Sequence, residues 1–397
     1  MLRQKQIQKI VERLQGRGIS LRLRLWDGTE IDLAENPRVT ITIPTVRALR
    51  YVLRPTLGTL GHAYVEGLID VEGVIDDVVA VAAHLSSDGT MDGAHQRHGP
   101  HSIRHSRKLD AEAIAYHYDV SNEFYSRWLD QKMVYSSAYF QNEGDTLEAA
   151  QEQKLDLILR KLHVRPGDRL LDIGCGWGAL VMRAAKKFGV RALGITLSKN
   201  QYELAQEKIA AAGLADRCEV RIEDYRDLTG QFDRIASVGM YEHVGLKNLP
   251  VYFKKIRGLL MNEGIVLNQG ITSTDPDSGG APWGGGDFIE RYVFPHGELP
   301  HISLVLKEMC AAGLEPLDVE NLRRHYELTI RHWSERFEAQ QERLRALAGE
   351  KRWRIWRVYL AGCAYGFAHN WTAVHQILAV KAGTNSSPLT RDYMYGD

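Results

Sequence analysis

The chain has 397 residues, 44% of them hydrophobic, and its 50 basic and 50 acidic side chains cancel. That length fits two to three domains, and the apolar content excludes wholesale disorder. Without a basic excess to displace counterions, a general nucleic-acid binder is not expected. The four cysteines, Cys175, Cys218, Cys310 and Cys363, are scattered and show no zinc-ligand spacing, as in reduced, intracellular proteins. Residues 1–13 are broken by charges and lack the apolar stretch of a secretion signal. No run approaches the ~20 apolar residues of a membrane span. A cytoplasmic protein that can still touch a membrane from the side is expected.

Residues 1–87 read as a small α+β unit. Leu21 to Leu25 alternates apolar and basic residues, as a half-buried strand does. A Trp26–Thr29 turn and a return strand near Ile31 to Leu33 follow. Thr40 to Pro44 is a further extended run, Val46 to Leu53 has helical spacing, and Leu68 to Leu85 reads as a helical stretch. Residues 88–108 form a linker carrying His95, His98 and His101, with His105 near its end. Their irregular spacing suits a solvated connector better than a metal cage. From residue 109 to 397, helical patterns alternate with short apolar runs and glycine-rich turns. This βαβ logic predicts an α/β domain with a mostly parallel sheet and helices on both faces.

The segment Arg169 to Leu180 carries the most chemistry. A short apolar strand (Leu170, Leu171, Ile173) runs into a turn with Gly174, Gly176 and Gly178, and a helix follows from Ala179. Glycines let the backbone turn tightly and approach a ligand, and the helix start offers unpaired N–H groups. A glycine-rich βα turn alone also occurs in dinucleotide enzymes. Here the acid, Asp172, precedes the glycines, and the spacing is D-x-G-x-G-x-G rather than GxGxxG. The second strand, Arg191 to Ile195, leads into Thr196-Leu197-Ser198, with no acid where a nicotinamide enzyme holds its ribose. S-adenosylmethionine (SAM) is the cofactor this pattern favours, bound by Asp172, Gly174, Gly176, Thr196, Leu197 and Gln201. Tyr225, in the turn after the third strand, is the candidate to stack on the adenine.

Further motifs are dispersed over nearly the whole chain: His117 to Asn122, Met133 to Phe140, Gly194 to Gln201, Ser237 to Gly245, Tyr292 to Pro300 and the N-terminal Leu57 to Gly67. Together with the glycine loop they resemble the cyclopropane-fatty-acyl-phospholipid synthases, whose relatives include the mycolic acid cyclopropane synthases. The resemblance implies a Rossmann-like SAM methyltransferase domain with a seven-stranded type of sheet and a small, lipid-binding-like N-terminal domain. It implies a reaction in which the double bond of an unsaturated acyl phospholipid attacks the sulfonium methyl, a base removes a proton, and a cyclopropane ring closes. In the family the base is proposed to be a bound bicarbonate. Carried over position by position, its ligands are Glu242, Ile271 and Tyr326. Two positions depart from the family pattern: its cysteine is Ser137 and its histidine is Gln269. Serine and glutamine can donate hydrogen bonds to an anion, but neither titrates near neutrality. Ring closure is therefore the step in question, and a methyl or methylene branch, or action on a polyunsaturated chain, is the alternative outcome. A non-catalytic lipid-binding protein is the second alternative. Tyr135 and Ser136 are implied cofactor contacts.

Glu242 follows an apolar strand at its C-terminal end, where α/β sites lie; a helix-start acid is the bland reading. Tyr326 reads equally well as a core tyrosine. Lys351 to Leu360 interleaves basic and aromatic residues. A helix with its Trp side inward and its Arg side solvated is the favoured reading, and a stripe facing an anionic membrane is the other. Phe288, Tyr292, Val293 and Phe294 are candidates to line an acyl channel, and residues 278–286 read as a mobile loop near its entrance. The expected partners are the phospholipid substrate and the inner membrane surface; a homodimer is left open.

Overall fold

The computed structural model describes residues 11–12, 19–87, 120–277, 279–295 and 297–396. The histidine-bearing linker and the motif at His117 lie outside the described residues. The chain forms two compact units.

The first unit holds a four-stranded sheet in the order β2-β1-β3-β4: β1 Leu21–Arg24, β2 Glu30–Asp32, β3 Val39–Thr42 and β4 Asp70–Glu72. Leu21 and Leu23 are buried, while Arg22 and Arg24 face outward and pair with Asp32, Glu30 and Glu72. The alternating pattern thus becomes one apolar face and one ion-paired face. Helices α1 (Leu57–Val65) and α2 (Ile75–Ser86) belong to this unit. The stretch expected to be helical from Leu68 starts instead with β4, which pairs antiparallel with β3 before α2 begins.

Two later segments, residues 279–295 and 337–371, pack into the first unit. The expected boundary, with everything after residue 108 in one domain, therefore does not describe how the chain packs. The reason is apolar burial: Val358, Ala361 and Tyr365 join the core of the N-terminal strands, and Phe288, Tyr292 and Val293 cluster with Val65 and Ile355. The glycine-rich segment is accordingly no free loop. Pro282 and Gly284 are buried, and a helix runs over Gly285–Tyr292. In the helix Glu350–Ala368 the tryptophans Trp353 and Trp356 are buried, as the inward reading expects. The arginines are not solvated, however: Arg354 bonds Glu350 and the Tyr64 carbonyl, and Arg357 pairs with Glu338. Trp353, Ile355, Trp356 and Leu360 of this stripe are buried, while Lys351 is exposed.

The second unit is built on a seven-stranded sheet in the order β10-β11-β9-β8-β5-β6-β7, comprising β5 Arg169–Ile173, β6 Arg191–Thr196, β7 Cys218–Ile222, β8 Phe232–Val238, β9 Leu260–Ser273, β10 Leu314–Asn321 and β11 Thr372–Lys381. Pairings from β7 through β9 are parallel, and β11 runs antiparallel to both its neighbours. Helices α3 (Leu147–Lys161), α4 (Ala179–Phe188), α5 (Lys199–Ala211), α6 (Leu249–Leu259), α7 (Ile302–Ala311) and α8 (Arg323–Ala339) follow in chain order. Side chains alternate between two cores. Leu170, Ala236, Leu267 and Leu378 pack with α3, α4 and α5, whereas Leu171, Ile235, Val266 and Ile377 pack with α6 and α7. Strands buried on both faces read as continuous apolar runs, which is why Leu170 to Ile173 stands out in the sequence.

One glycine fixes how β9 meets the segment after β8. A Cβ at Gly270 would overlap the ring of Tyr241, which is fully buried beneath it. Gly270→Ala must push back the residue that precedes Glu242, so a destabilisation of about 1–3 kcal/mol is expected from overpacking. Thermal melting checks this; an unchanged melting temperature would show that Tyr241 can move without cost.

Candidate active site

The strand order reverses at β5, between β6 and β8, and α/β sheets bind ligands in the crevice at such a point. A pocket partly open to solvent lies there. The ends of β5, β6 and β8 and the turn after β7 form its wall. All nine expected cofactor residues, Tyr135, Ser136, Asp172, Gly174, Gly176, Thr196, Leu197, Gln201 and Tyr225, line this one pocket.

Local interactions set each group. Gly176 has φ +54 and nothing within 4 Å of where a Cβ would stand, so its backbone borders open space. The Thr196 hydroxyl donates to Gln201 Oε1 at 2.8 Å, which leaves the Gln201 amide nitrogen for a ligand. The Gln201 backbone N–H in turn donates to Ser198, which caps α5. The Gln151 side chain donates to the carbonyls of Val134 and Ser136, holding the Tyr135–Ser136 segment in place. Tyr225 is buried, its ring edge-on to Tyr252 at 5.4 Å.

Further wall residues are not among the expected contacts. Lys154, Trp177, Met240 and His243 all line the pocket, and of these four only Lys154 lies outside the motifs. The Trp177 indole donates to Asn122 at 2.8 Å, tying the glycine loop to the residues before α3. Lys154 is buried, and its ammonium donates to Ser136 Oγ at 2.9 Å. Burial lowers its pKa to about 8 against the pull of Asp130 and Asp172. Burial likewise raises Asp172 to about 7, opposed by Lys154, and Asp172 Oδ1 has no hydrogen-bond partner. An open glycine cradle and an orphaned buried acceptor fit a polar ligand that brings its own donors, as the amino-acid end of SAM does.

The expected catalytic residues fall into two groups. Glu242 sits in a single turn, Tyr241–His243, just after β8, flanked in sequence by the wall residues Met240 and His243. Its Oε1 accepts the Ile271 N–H of β9 at 2.6 Å, and its Oε2 has no partner. Burial raises this carboxyl to about 7, against the Ile271 hydrogen bond. Gln269, two residues earlier on β9, lies in register with the wall residue Val238. The second group joins Ser137 and Tyr326. The Ala138 N–H donates to Thr329 of α8 at 2.9 Å, and Trp333 contacts both Tyr135 and Tyr326.

Among the expected bicarbonate ligands, Glu242, Ile271, Ser137 and Gln269 have hydrogen bonds of their own within the protein. The Ile271 N–H is given to Glu242, and the fully buried Ser137 hydroxyl donates to the Ala138 carbonyl at 3.0 Å. Gln269 Oε1 accepts from Gln376 at 2.8 Å. The Ile271 N–H and the Ser137 hydroxyl would have to leave these partners to hold an anion.

A sheet with one antiparallel strand and a pocket at its switch point define a SAM-dependent enzyme of the methyltransferase class. Within that class, residues 105–377 match the mycolic acid cyclopropane synthetase family, and the chain belongs to it. Residues 7–92 match a domain family of unknown function. A probable fatty acid methyltransferase from Pseudomonas putida is 48% identical over 96% of this chain and 98% of its own. The cyclopropane-fatty-acyl-phospholipid synthase of Escherichia coli K12 is 38% identical over 69% of each chain. The solved mycolic acid cyclopropane synthase CmaA1, complexed with SAH and CTAB, superposes with a TM-score of 0.65 at 34% identity, covering 68% of this chain and 98% of that one.

Two measurements follow from this geometry. Gly176→Val places a branched side chain in the open space of the loop at a strained φ, so calorimetric binding of S-adenosylhomocysteine should be lost; wild-type affinity would mean the ligand does not approach this backbone. Glu242 also links stability to pH. Its carboxyl keeps a proton up to about 7 in the folded state but gives it up near 4.5 when unfolded. Folded protein thus holds more protons across that window, and stability contributed by the neutral form is lost as pH rises from 4.5 through 7. The expected slope is up to about 1.4 kcal/mol per pH unit. Denaturant titrations of the wild type and Glu242→Gln should differ by this slope; parallel curves would place the Glu242 pKa in the ordinary range.

Proposed function

We propose that this enzyme transfers the methyl carbon of SAM to a double bond in an unsaturated acyl chain of membrane phospholipids and forms a cyclopropane fatty acid. The observation that carries the reading is the buried Glu242 carboxyl, next in sequence to the pocket-lining His243, which burial raises to about 7 against the Ile271 N–H that lowers it. The residues that would hold SAM are those of the glycine loop together with Tyr135, Ser136, Thr196, Leu197, Gln201 and Tyr225, and when bound it supplies the methyl group. Glu242 is the group that takes the released proton: ionised it is a base in a desolvated site, and its neutral form is stable enough to keep the proton at pH 7. Ser137 and Tyr326 are linked to the Tyr135 segment through Thr329 and Trp333 of α8. A phospholipid substrate brings the enzyme to the inner membrane surface as a peripheral protein.

The second reading is a methyl or methylene branch on the same chain. It draws support from Ser137, whose hydroxyl donates to the Ala138 carbonyl, from Gln269, which carries no titrating group where the family has histidine, and from the similarity to a probable fatty acid methyltransferase of Pseudomonas putida. Incubation with methyl-labelled SAM and oleoyl phosphatidylglycerol vesicles, followed by NMR of the lipids, separates the products. Cyclopropane methylene signals are expected, and an olefinic methylene or methyl branch would establish the second reading. In the same assay Glu242→Gln should lower kcat by about 10²–10⁴-fold while leaving the affinity for S-adenosylhomocysteine intact. A loss below about tenfold would make Glu242 structural.

A further inference from the structure

A line of buried polar groups crosses the sheet from β10 to the pocket. Lys161, at the end of α3, is fully buried. Its ammonium pairs with Glu320 and, at 3.5 Å, with Asp318, both on β10. It also donates to Oε1 of Gln376 on β11 at 3.0 Å. Gln376 Nε2 then donates to Oε1 of Gln269 on β9 at 2.8 Å. Gln269 is in register with Val238 on β8, which lines the pocket.

Two facing glutamines could ordinarily hydrogen bond in either of two orientations, related by flipping both amides. Lys161 removes that freedom, because an ammonium only donates. It claims the carbonyl end of Gln376, so the Gln376 nitrogen must donate onward and Gln269 must accept. The NH₂ of Gln269 is then the only end of its amide left to serve the pocket side. We infer that Lys161 and Gln376 are positioning residues that fix Gln269 as a hydrogen-bond donor beside the reacting centre. A histidine at this position could offer either an N–H or a lone pair; the locked glutamine offers only N–H. It can stabilise negative charge as Glu242 ionises, and it cannot compete for the proton. The inference rests on the proposed function and on taking Gln269, in register with the wall residue Val238, to border the reacting centre.

Gln376→Glu tests the direction of the relay. The new carboxylate still accepts from Lys161, but it also accepts from Gln269, so the Gln269 amide must flip and present oxygen. In the labelled-SAM assay on oleoyl phosphatidylglycerol vesicles, kcat should fall at least about tenfold, in line with the loss of one preorganised donor. The KM for SAM and the calorimetric Kd for S-adenosylhomocysteine should stay within about twofold, a split that a general loss of structure would not give. Gln269→Leu, assayed alongside, should also lower kcat. Wild-type kcat in Gln376→Glu with a damaged Gln269→Leu overturns the relay alone. Wild-type kcat and product in Gln269→Leu overturn the placement of Gln269 at the centre, and the relay with it. Should thermal melting show Gln376→Glu unfolded, Gln376→Met removes the direction without adding charge. It should then lose activity to a lesser degree, and full activity in it would overturn the inference.

Discussion

A single hydrogen bond, from the Ile271 N–H to the Glu242 carboxyl, holds the candidate active site in its working form. A carboxyl taken out of water resists ionisation, and one backbone donor recovers only part of the lost hydration. The balance leaves Glu242 near neutrality. The surrounding structure serves this placement. β8 ends at the crevice next to β5, the turn that follows buries Tyr241 under Gly270, and β9 continues past β8 far enough to present Ile271. In this chain the Ile271 N–H and the Ser137 hydroxyl already have partners within the protein, and the proposed function therefore gives proton removal to the carboxyl itself.

Buried charge is the second theme of the larger unit. Lys154, Asp172 and Lys161 are all withdrawn from solvent, which is costly unless each is compensated. Lys161 is matched by two carboxylates and Gln376. Asp172 keeps an unpartnered oxygen in the cofactor pocket, and Lys154 touches only a hydroxyl there. The Lys161 network ties β10, β11 and β9 together, whereas the under-matched pair lies where a zwitterionic ligand can complete it.

Local features of the chain were readable in advance. The Leu170 to Gly178 strand and turn carry their own signature, because a doubly buried strand must be apolar and a close ligand approach needs glycine. Most of the nine expected pocket residues come from strand ends and the turns and helix starts that follow them, where such motifs cluster. Residues whose roles depend on distant partners were not readable. Lys154 looks like any helical lysine until α3 places it beside Ser136, and Gln376 gains meaning only through the β9–β11 register. The packing of residues 279–295 and 337–371 with the N-terminal strands was hidden for the same reason. The glycines near 284 suggested a loop, and the Lys351 to Leu360 stripe allowed a membrane face, until buried partners such as Glu338 were seen.

The account turns on Glu242 remaining protonated well above the range of an ordinary carboxylic acid. Infrared difference spectra of the wild type against Glu242→Gln, recorded between pH 5 and 9, test this directly. A neutral carboxylic acid band assigned to Glu242 should persist at pH 6 and convert to carboxylate with a midpoint of about 7. A Glu242 carboxylate already fully ionised at pH 5 would contradict the account.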